Sequence, residues 1–309
     1  MVQNRLTLQA SNRVFSPDFC PSPCEASTMP RWNTVAIVGV GLIGGSIGLA
    51  LRARGLAGRV IGVGRRAESL RKAMEVGAVT ETTLHLDESI HAADLIVFAT
   101  PVDRIAPAIL EASRHFSKKA LITDAGSTKA GMIRELDKAL PPKTRFIGGH
   151  PLAGGEKAGP EFATADLFEG RVAIVTPTER SSRAVVREAS EFWASLGSQV
   201  ITMSPEEHDE AVAAISHLPH LLASALARGT PKERLELAAS GWRDTTRIAA
   251  GDAELWTQIL LANRRNVLKS LARFEKTVFR FKDALKNDDP AALKRLLAEA
   301  KRIRDAVGS

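Results

Sequence analysis

A chain of 309 residues, 44% hydrophobic and 25% charged, has the length of two ordinary globular domains. No stretch approaches the ~18 consecutive apolar residues of a membrane span, and the polar N-terminus has no apolar signal core, so neither a membrane partner nor secretion is expected. The net charge is +7, and the 13 basic against 6 acidic residues between positions 261 and 309 account for the excess. Those charges alternate with Leu, Ala, Phe and Val at helical spacing, which favours a solvated helical face over nucleic-acid binding. A positive field would also draw in a small dianion and a phosphorylated cofactor.

Residues 1–32 are rich in Ser, Pro and Asn, without helical or strand period, and are expected to form a disordered leader, with Met29 a candidate natural start. Cys20 and Cys24 both fall there, in a CPSPC run with no second ligand pair, so no metal site is expected. The rest of the chain has no cysteine, which suits the cytoplasm.

From 33 to 203 short apolar runs alternate with amphipathic stretches. The runs are Val35–Val40, Val60–Val63, Leu95–Ala99, Ala120–Thr123, Phe146–Gly148, Val172–Val175 and Val200–Met203. Continuous runs of this length suit strands covered on both faces, and the alternation predicts a Rossmann-like, doubly wound parallel sheet. The first run leads into Gly39-Val40-Gly41-Leu42-Ile43-Gly44. In such a motif the first glycine permits a tight turn, the second lets backbone approach a pyrophosphate, and the third lets helix and strand pack closely. Leu42 and Ile43 then open a helix whose free N–H groups face the phosphates. The second strand ends in Gly64-Arg65-Arg66, where an NAD site would carry a carboxylate for the ribose. Two guanidinium groups there suit a 2′-phosphate instead, so NADP+ is expected over NAD+. Polar residues gather at the ends of later strands: Thr100-Pro101, then Asp124 to Lys129, then Gly148 to Gly154 around His150.

The pattern changes at Ser204-Pro205-Glu206-Glu207, a helix start with a Ser cap, Pro in the first turn and Glu three residues after the cap. Thr230-Pro231-Lys232-Glu233 and Asp289-Pro290 are further helix starts, and no strand pattern follows, so 204–309 is predicted to be all-helical. Ser216-His217-Leu218-Pro219-His220 interrupts one of its helical patterns. From Glu254 to Leu285 a single long helix is predicted. Its apolar residues (Leu255, Ile259, Val267, Leu271, Phe274, Val278, Phe281) lie on more sides than one packing stripe covers, which points to a homodimer.

These segments together resemble the prephenate/arogenate dehydrogenase family. The resemblance rests on GLIGGS at Gly41–Ser46, ATP at Ala99–Pro101, DAGSTK at Asp124–Lys129, GGHPLAG at Gly148–Gly154 and LFEGR at Leu167–Arg171. It continues with HD at His208–Asp209, SHLPH at Ser216–His220, DTTRIA at Asp244–Ala249 and Trp256. It spans Val35 to Trp256 in order and spacing, while the family's regulatory ACT and chorismate mutase modules look absent. It implies oxidative decarboxylation of a cyclohexadienol, prephenate or arogenate: a hydride leaves C4 for the nicotinamide, the 4-hydroxyl gives up its proton, and the ring carboxylate departs as CO2. His150 is then the base and Ser127 orients it and the nicotinamide, with helix capping as a second role for Ser127. Arg247 holds the ring carboxylate, with an ion pair to Asp244 as its rival role. His217 and His220 line the side-chain end of the pocket, and Lys129 is more readily a solvated or structural residue. Trp242 stands where the family usually has Phe. A hydroxyacid or imine oxidoreductase on the same plan would carry other signatures in its second domain, and a non-catalytic dinucleotide sensor would need neither base nor carboxylate clamp.

Overall fold

The computed structural model describes residues 30–86, 90–155 and 157–308. Cys20, Cys24 and Met29 lie outside the described residues. Eight strands form one sheet: β1 (Trp32–Val38), β2 (Ala57–Val63), β3 (Glu81–Thr83), β4 (Leu95–Phe98), β5 (Leu121–Asp124), β6 (Phe146–Pro151), β7 (Val172–Thr176) and β8 (Gln199–Thr202). Their order is β3-β2-β1-β4-β5-β6-β7-β8. Strand β1 begins inside the segment expected to be leader. Trp32 is buried there and meets Phe192 edge-on at 5.7 Å.

The period of two explains why the strands are continuously apolar. Val35 and Ile37 of β1 face one core cluster, with Leu95 and Val97 of β4. Ala36 and Val38 face the other, with Ile96 and Phe98. Helices cover both faces: α1 (Leu42–Ala53), α2 (Ala67–Glu75), α3 (Val102–Ala112), α4 (Ala130–Ala139) and α5 (Arg183–Ser195). The short β3 has no apolar run because it is a three-residue edge strand with half-buried or exposed side chains. All pairings are parallel except β6 with β7, where His150 stands opposite Ile174. The connection from β6 to β7 carries only a 3-10 turn, Pro160–Phe162, among its described residues, so no crossover helix turns the chain parallel.

Beyond Ser204 the described residues are helical: α6 (Pro205–Val212), a π-turn (Ala213–His217), α7 (Leu218–Gly229), α8 (Ser240–Thr246), α9 (Ala253–Ala262), α10 (Arg264–Lys286) and α11 (Pro290–Val307). The expected capping box forms: Ser204 accepts from the Glu207 amide and the Glu207 side chain accepts from the Ser204 amide. Asp289 caps α11 through the Ala292 amide, whereas Thr230-Pro231 opens only a 3-10 turn and the Thr230 hydroxyl donates back to Leu226 O. The long helix expected from 254 to 285 breaks at Asn263. The asparagine amide donates to Asp209 O (2.6 Å) and to His217 Nδ1 (3.2 Å), which turns the chain there.

Residues 205–229 form a helical run long and apolar enough, by length and composition alone, to cross a membrane. Its His208, Asp209, His217 and His220 are all buried against neighbouring elements, as in a core helix of a globular domain.

Candidate active site

In a sheet of this order the carboxyl ends of β1 and β4 part company, because their following connections leave toward opposite faces, and the crevice between them is where ligands bind. Both expected cofactor segments sit there. Gly39 has φ +96, and a Cβ on it would lie 2.7 Å from Ala99 O. Only glycine allows both the turn and this approach of the two loops. Gly41 caps α1, and a Cβ placed on it would have nothing within 4 Å, so its backbone stands open to a phosphate. A Cβ on Gly44 would strike Gly39 O at 2.0 Å, which is the close packing asked of the third glycine. Leu42 and Ile43, half-buried, form the first turn of α1. Across the crevice Thr100 has a buried hydroxyl with no hydrogen-bond partner, and exposed Pro101 starts α3. The open backbone and the orphaned hydroxyl fit a dinucleotide. Arg65 and Arg66 are exposed just past the end of β2.

The same edge of the sheet carries the polar cluster. Phe98 of β4 is level with Asp124 of β5, and Thr123 with Ile147 of β6, so His150 projects beyond the carboxyl edge shared with the glycine turn. The strand runs past the expected Phe146–Gly148, so that His150 itself is on β6. The glycines before it are needed for packing: a Cβ on Gly148 would meet Thr176 Oγ1 at 2.3 Å, and one on Gly149 would meet Asp124 O at 2.7 Å. Asp124 ties the loops together. Its Oδ2 accepts from the Gly126 amide (2.8 Å) and from Lys129 Nζ, and its Oδ1 accepts from the Gly149 amide (3.1 Å). Lys129 is therefore fully buried in an ion pair, not solvated. Ser127 lies at a bend in this loop, half-buried, and does not cap α4.

The cap of α4 comes instead from the helical domain. Asp209 Oδ1 accepts from the Lys129 amide at 2.8 Å, and Oδ2 from the Ala130 amide at 3.0 Å. Its neighbour His208 lies between Asp209 and His150: His208 Nδ1 is 2.8 Å from Asp209 Oδ1, and His208 Nε2 is 2.8 Å from His150 Nδ1. Burial alone would raise the Asp209 carboxyl, but the His208 ring and the two capping amides outweigh it and hold it below the usual value. Loss of hydration, then the facing His208, Lys129 and His217, push His150 well below the ordinary imidazole range. His208 is lowered too, by burial first and by Lys129, against the pull of Asp209.

A second knot surrounds the SHLPH segment. His220 stacks on Trp256 with ring centroids 3.5 Å apart and planes 17° from parallel, and His217 meets the same indole edge-on at 6.2 Å. His217 ends the π-turn, a feature that often marks functional sites, and His220 lies in the first turn of α7 that follows it. His217 is buried, with Nδ1 taken by Asn263, and desolvation lowers its pKa to about 4. Burial lowers His220 as well, partly offset by a bond to the Ile248 backbone, and its Nε2 is buried without a partner. Ile248 follows Arg247 in the 3-10 turn Arg247–Ala250, so Arg247, exposed, is carried beside His220. Trp242 is half-buried, and its indole donates to Thr230 Oγ1 at 3.0 Å, bracing α8 against the end of α7.

A family profile described as the nucleotide-binding domain of prephenate dehydrogenase matches residues 47–202, and one described as its dimerization domain matches 204–299. The chain belongs to the prephenate dehydrogenase family. It is 32% identical to a prephenate dehydrogenase of Bacillus subtilis over 283 residues, covering 89% of this chain and 76% of the relative. The solved prephenate dehydrogenase of A. aeolicus, in complex with hydroxyphenyl propionate and NAD+, superposes with a TM-score of 0.83 at 33% identity, over 89% of this chain and 98% of that one. An arogenate dehydrogenase from Synechocystis superposes with a TM-score of 0.76 at 32% identity, over 89% and 99%. This family member is a nicotinamide-dependent dehydrogenase of the prephenate/arogenate class, with β2 to β8 of its Rossmann-like sheet lying within the match to the nucleotide-binding profile and helices α6 to α10 within the match to the second profile.

The sequence motifs brought Gly39–Gly44, Thr100, Ser127 and His150 to one edge. They gave no role to His208 and Asp209, nor to the stacking of Trp256 on His220. A His–Asp pair on the inward face of a helix, directly after the exposed Glu206 and Glu207, was the available signal.

Proposed function

We propose that His150 is the general base of an oxidative decarboxylation of prephenate or arogenate, with Ser127 orienting it and the nicotinamide and Arg247 holding the ring carboxylate. The observation that carries this is the His150 imidazole near the carboxyl end of β6, projecting beyond the level at which β4 and β5 end, on the same edge as the Ser127 loop and the glycine turn, where burial and its neighbours favour the neutral ring. A nicotinamide cofactor held by the Gly39–Gly44 turn and Thr100 would supply the hydride acceptor for C4. His150 holds the hydroxyl proton as that hydride departs, and returns it to the phenolate oxygen once CO2 has left and the ring is aromatic. A weak base suffices, because the hydroxyl becomes strongly acidic as its carbon loses the hydride. His220 meets the side-chain end of the substrate through its unpartnered Nε2, and His217 braces it through Trp256 and Asn263. Assays of dinucleotide reduction with prephenate and with arogenate test the activity. Turnover of neither would overturn it.

NADP+ is the preferred cofactor in this reading, because two exposed guanidinium groups and no carboxylate follow β2. Changing Arg65 and Arg66 together to Ala is expected to raise the KM for NADP+ at least tenfold and to leave that for NAD+ nearly unchanged, as only the former brings a 2′-phosphate to them; ~1.4 kcal/mol of lost charge-assisted bonding is enough for that factor. A wild type that prefers NAD+ would contradict it.

The working unit in this reading is a homodimer built on the helical domain. Ile259 and Val267 are buried within the chain, but Leu255, Val278, Phe279, Leu285, Leu297 and Ile303 are exposed. Light scattering at micromolar concentration is expected to give twice the chain mass, and a monomer would refute the dimer.

A further inference from the structure

We propose that Asp209 and His208 are positioning residues for the base: together they place the proton of His150 on Nδ1 and leave Nε2 as the bare acceptor for substrate. The inference rests on the reading of His150 as base, and it follows from the hydrogen-bond geometry one atom at a time.

Asp209 Oδ1 already accepts from the Lys129 amide, and Oδ2 from the Ala130 amide, so this carboxylate is an acceptor on both oxygens. The ring atom 2.8 Å from Oδ1 is His208 Nδ1, which must therefore carry a hydrogen. With Nδ1 protonated, a neutral His208 has a bare Nε2. The atom 2.8 Å from that Nε2 is His150 Nδ1, which must in turn carry a hydrogen. A neutral His150 then has one lone pair left, on Nε2. The opposite tautomer would set two lone pairs, or two hydrogens, face to face somewhere along the line, inside a region where His208 and Asp209 are buried. A doubly protonated His208 would reverse the last step, and burial together with the Lys129 charge opposes that state. The other charged or titratable groups around the line are Asp124, paired to Lys129, and His217, bonded to Asn263.

The line does more than select a tautomer. As His150 Nε2 takes the hydroxyl proton, its Nδ1–H bond to His208 becomes charge-assisted, and the Asp209 carboxylate lies one ring further along to stabilise the cation. No proton has to move along the line: Nδ1 keeps its hydrogen throughout, and Nε2 gives its own back to the product. The same carboxylate starts α4 and so fixes the loop that bears Ser127. Base and loop are thereby registered to each other from the second domain.

The test is direct. In full-length protein with 15N-labelled histidine, long-range proton–nitrogen correlation at pH 7.5 is expected to show the residue whose signals vanish in His150→Asn as the Nδ1–H tautomer. Finding it as the Nε2–H tautomer overturns the proposal, whatever His150 does in catalysis. Full turnover by His150→Asn would instead sink the base reading, while the tautomer measurement would still decide the proton's position independently. In kinetics, His208→Phe keeps the ring volume and is expected to lower kcat by about ten- to a hundredfold with both KM values within about twofold, the usual effect of losing an outer hydrogen-bond partner. His208→Gln, whose terminal amide can accept at the position of Nε2, is expected to recover most of that loss. Equal kcat in Phe and Gln variants, with only a lower Tm, would overturn the positioning role.

Discussion

His150→Asn is expected to lower kcat by ~10²–10⁴, the usual contribution of a positioned general base. Asparagine is chosen because its amide lies near the position of Nδ1 and can still donate to His208 Nε2, so the hydrogen-bonded line is preserved while the reacting nitrogen is lost. Dinucleotide affinity should be unchanged, since the phosphate turn at Gly39–Gly44 follows β1 and His150 is on β6. In the wild type, the depressed pKa of His150 keeps the imidazole neutral below pH 6.5, so the acid limb of kcat/KM should fall below that value, not at it. The sign for stability is the same. Below 6.5 the unfolded chain binds protons that the folded one refuses, so stability erodes as pH falls from 6.5 toward the folded values, which for His217 means about 4. Melting curves at each pH therefore accompany the rate profile and separate loss of the base from loss of the fold. An acid limb at 6.5 or above in intact protein would place the titrating group elsewhere.

Much of this arrangement was legible in the chain because it is local. A strand buried on both faces is continuously apolar, and Gly39, Gly41 and Gly44 are set by backbone geometry within six residues of one another. The helix starts at Ser204 and Asp289 are equally local, each a cap and a proline within a turn. What could not be read joins distant segments. Asp209 caps a helix that begins 79 residues upstream of it in the chain, at Ala130. Ser127 therefore gives way as a cap to a residue in the other domain. Lys129, polar and next to a glycine-rich loop, left a solvated and a structural role open, because its buried partner Asp124 becomes visible only when β5 and α4 pack. The single helix expected from 254 to 285 satisfied its periodicity, but periodicity does not register that the Asn263 side chain has acceptors waiting on Asp209 and His217. The reversed β7 had the same kind of apolar run as β1 and β4 of the parallel part, since direction leaves no mark on a strand buried on both faces.

Arg247→Ala should raise the KM for prephenate sharply and leave that for the dinucleotide nearly unchanged. The ring carboxylate has to be held while C4 gives up its hydride, and in a partly dry pocket its charge needs a partner. In the proposed role Arg247 would act from the turn Arg247–Ala250 that follows α8, where the next residue, Ile248, bonds His220 through its backbone. Removing a partner from a desolvated charged pair costs about 2–5 kcal/mol. At about 1.4 kcal/mol per decade that is roughly a thirty- to several-thousandfold loss in kcat/KM. The side chain is exposed in the chain by itself, so the effect belongs near the lower end unless substrate or a partner subunit closes the site over it. Arg247→Lys should recover only part of the loss, because an ammonium keeps the charge but not the two-pronged grip on a carboxylate. The rival role is an ion pair with Asp244, three residues back and equally exposed. That role forecasts intact kinetics and a slightly lower Tm, as exposed helical pairs contribute only about 0.3–0.5 kcal/mol. Steady-state kinetics and a thermal melt on the same Arg247→Ala sample decide between them: a KM effect confined to the substrate supports the clamp, and a pure stability effect removes Arg247 from the binding site.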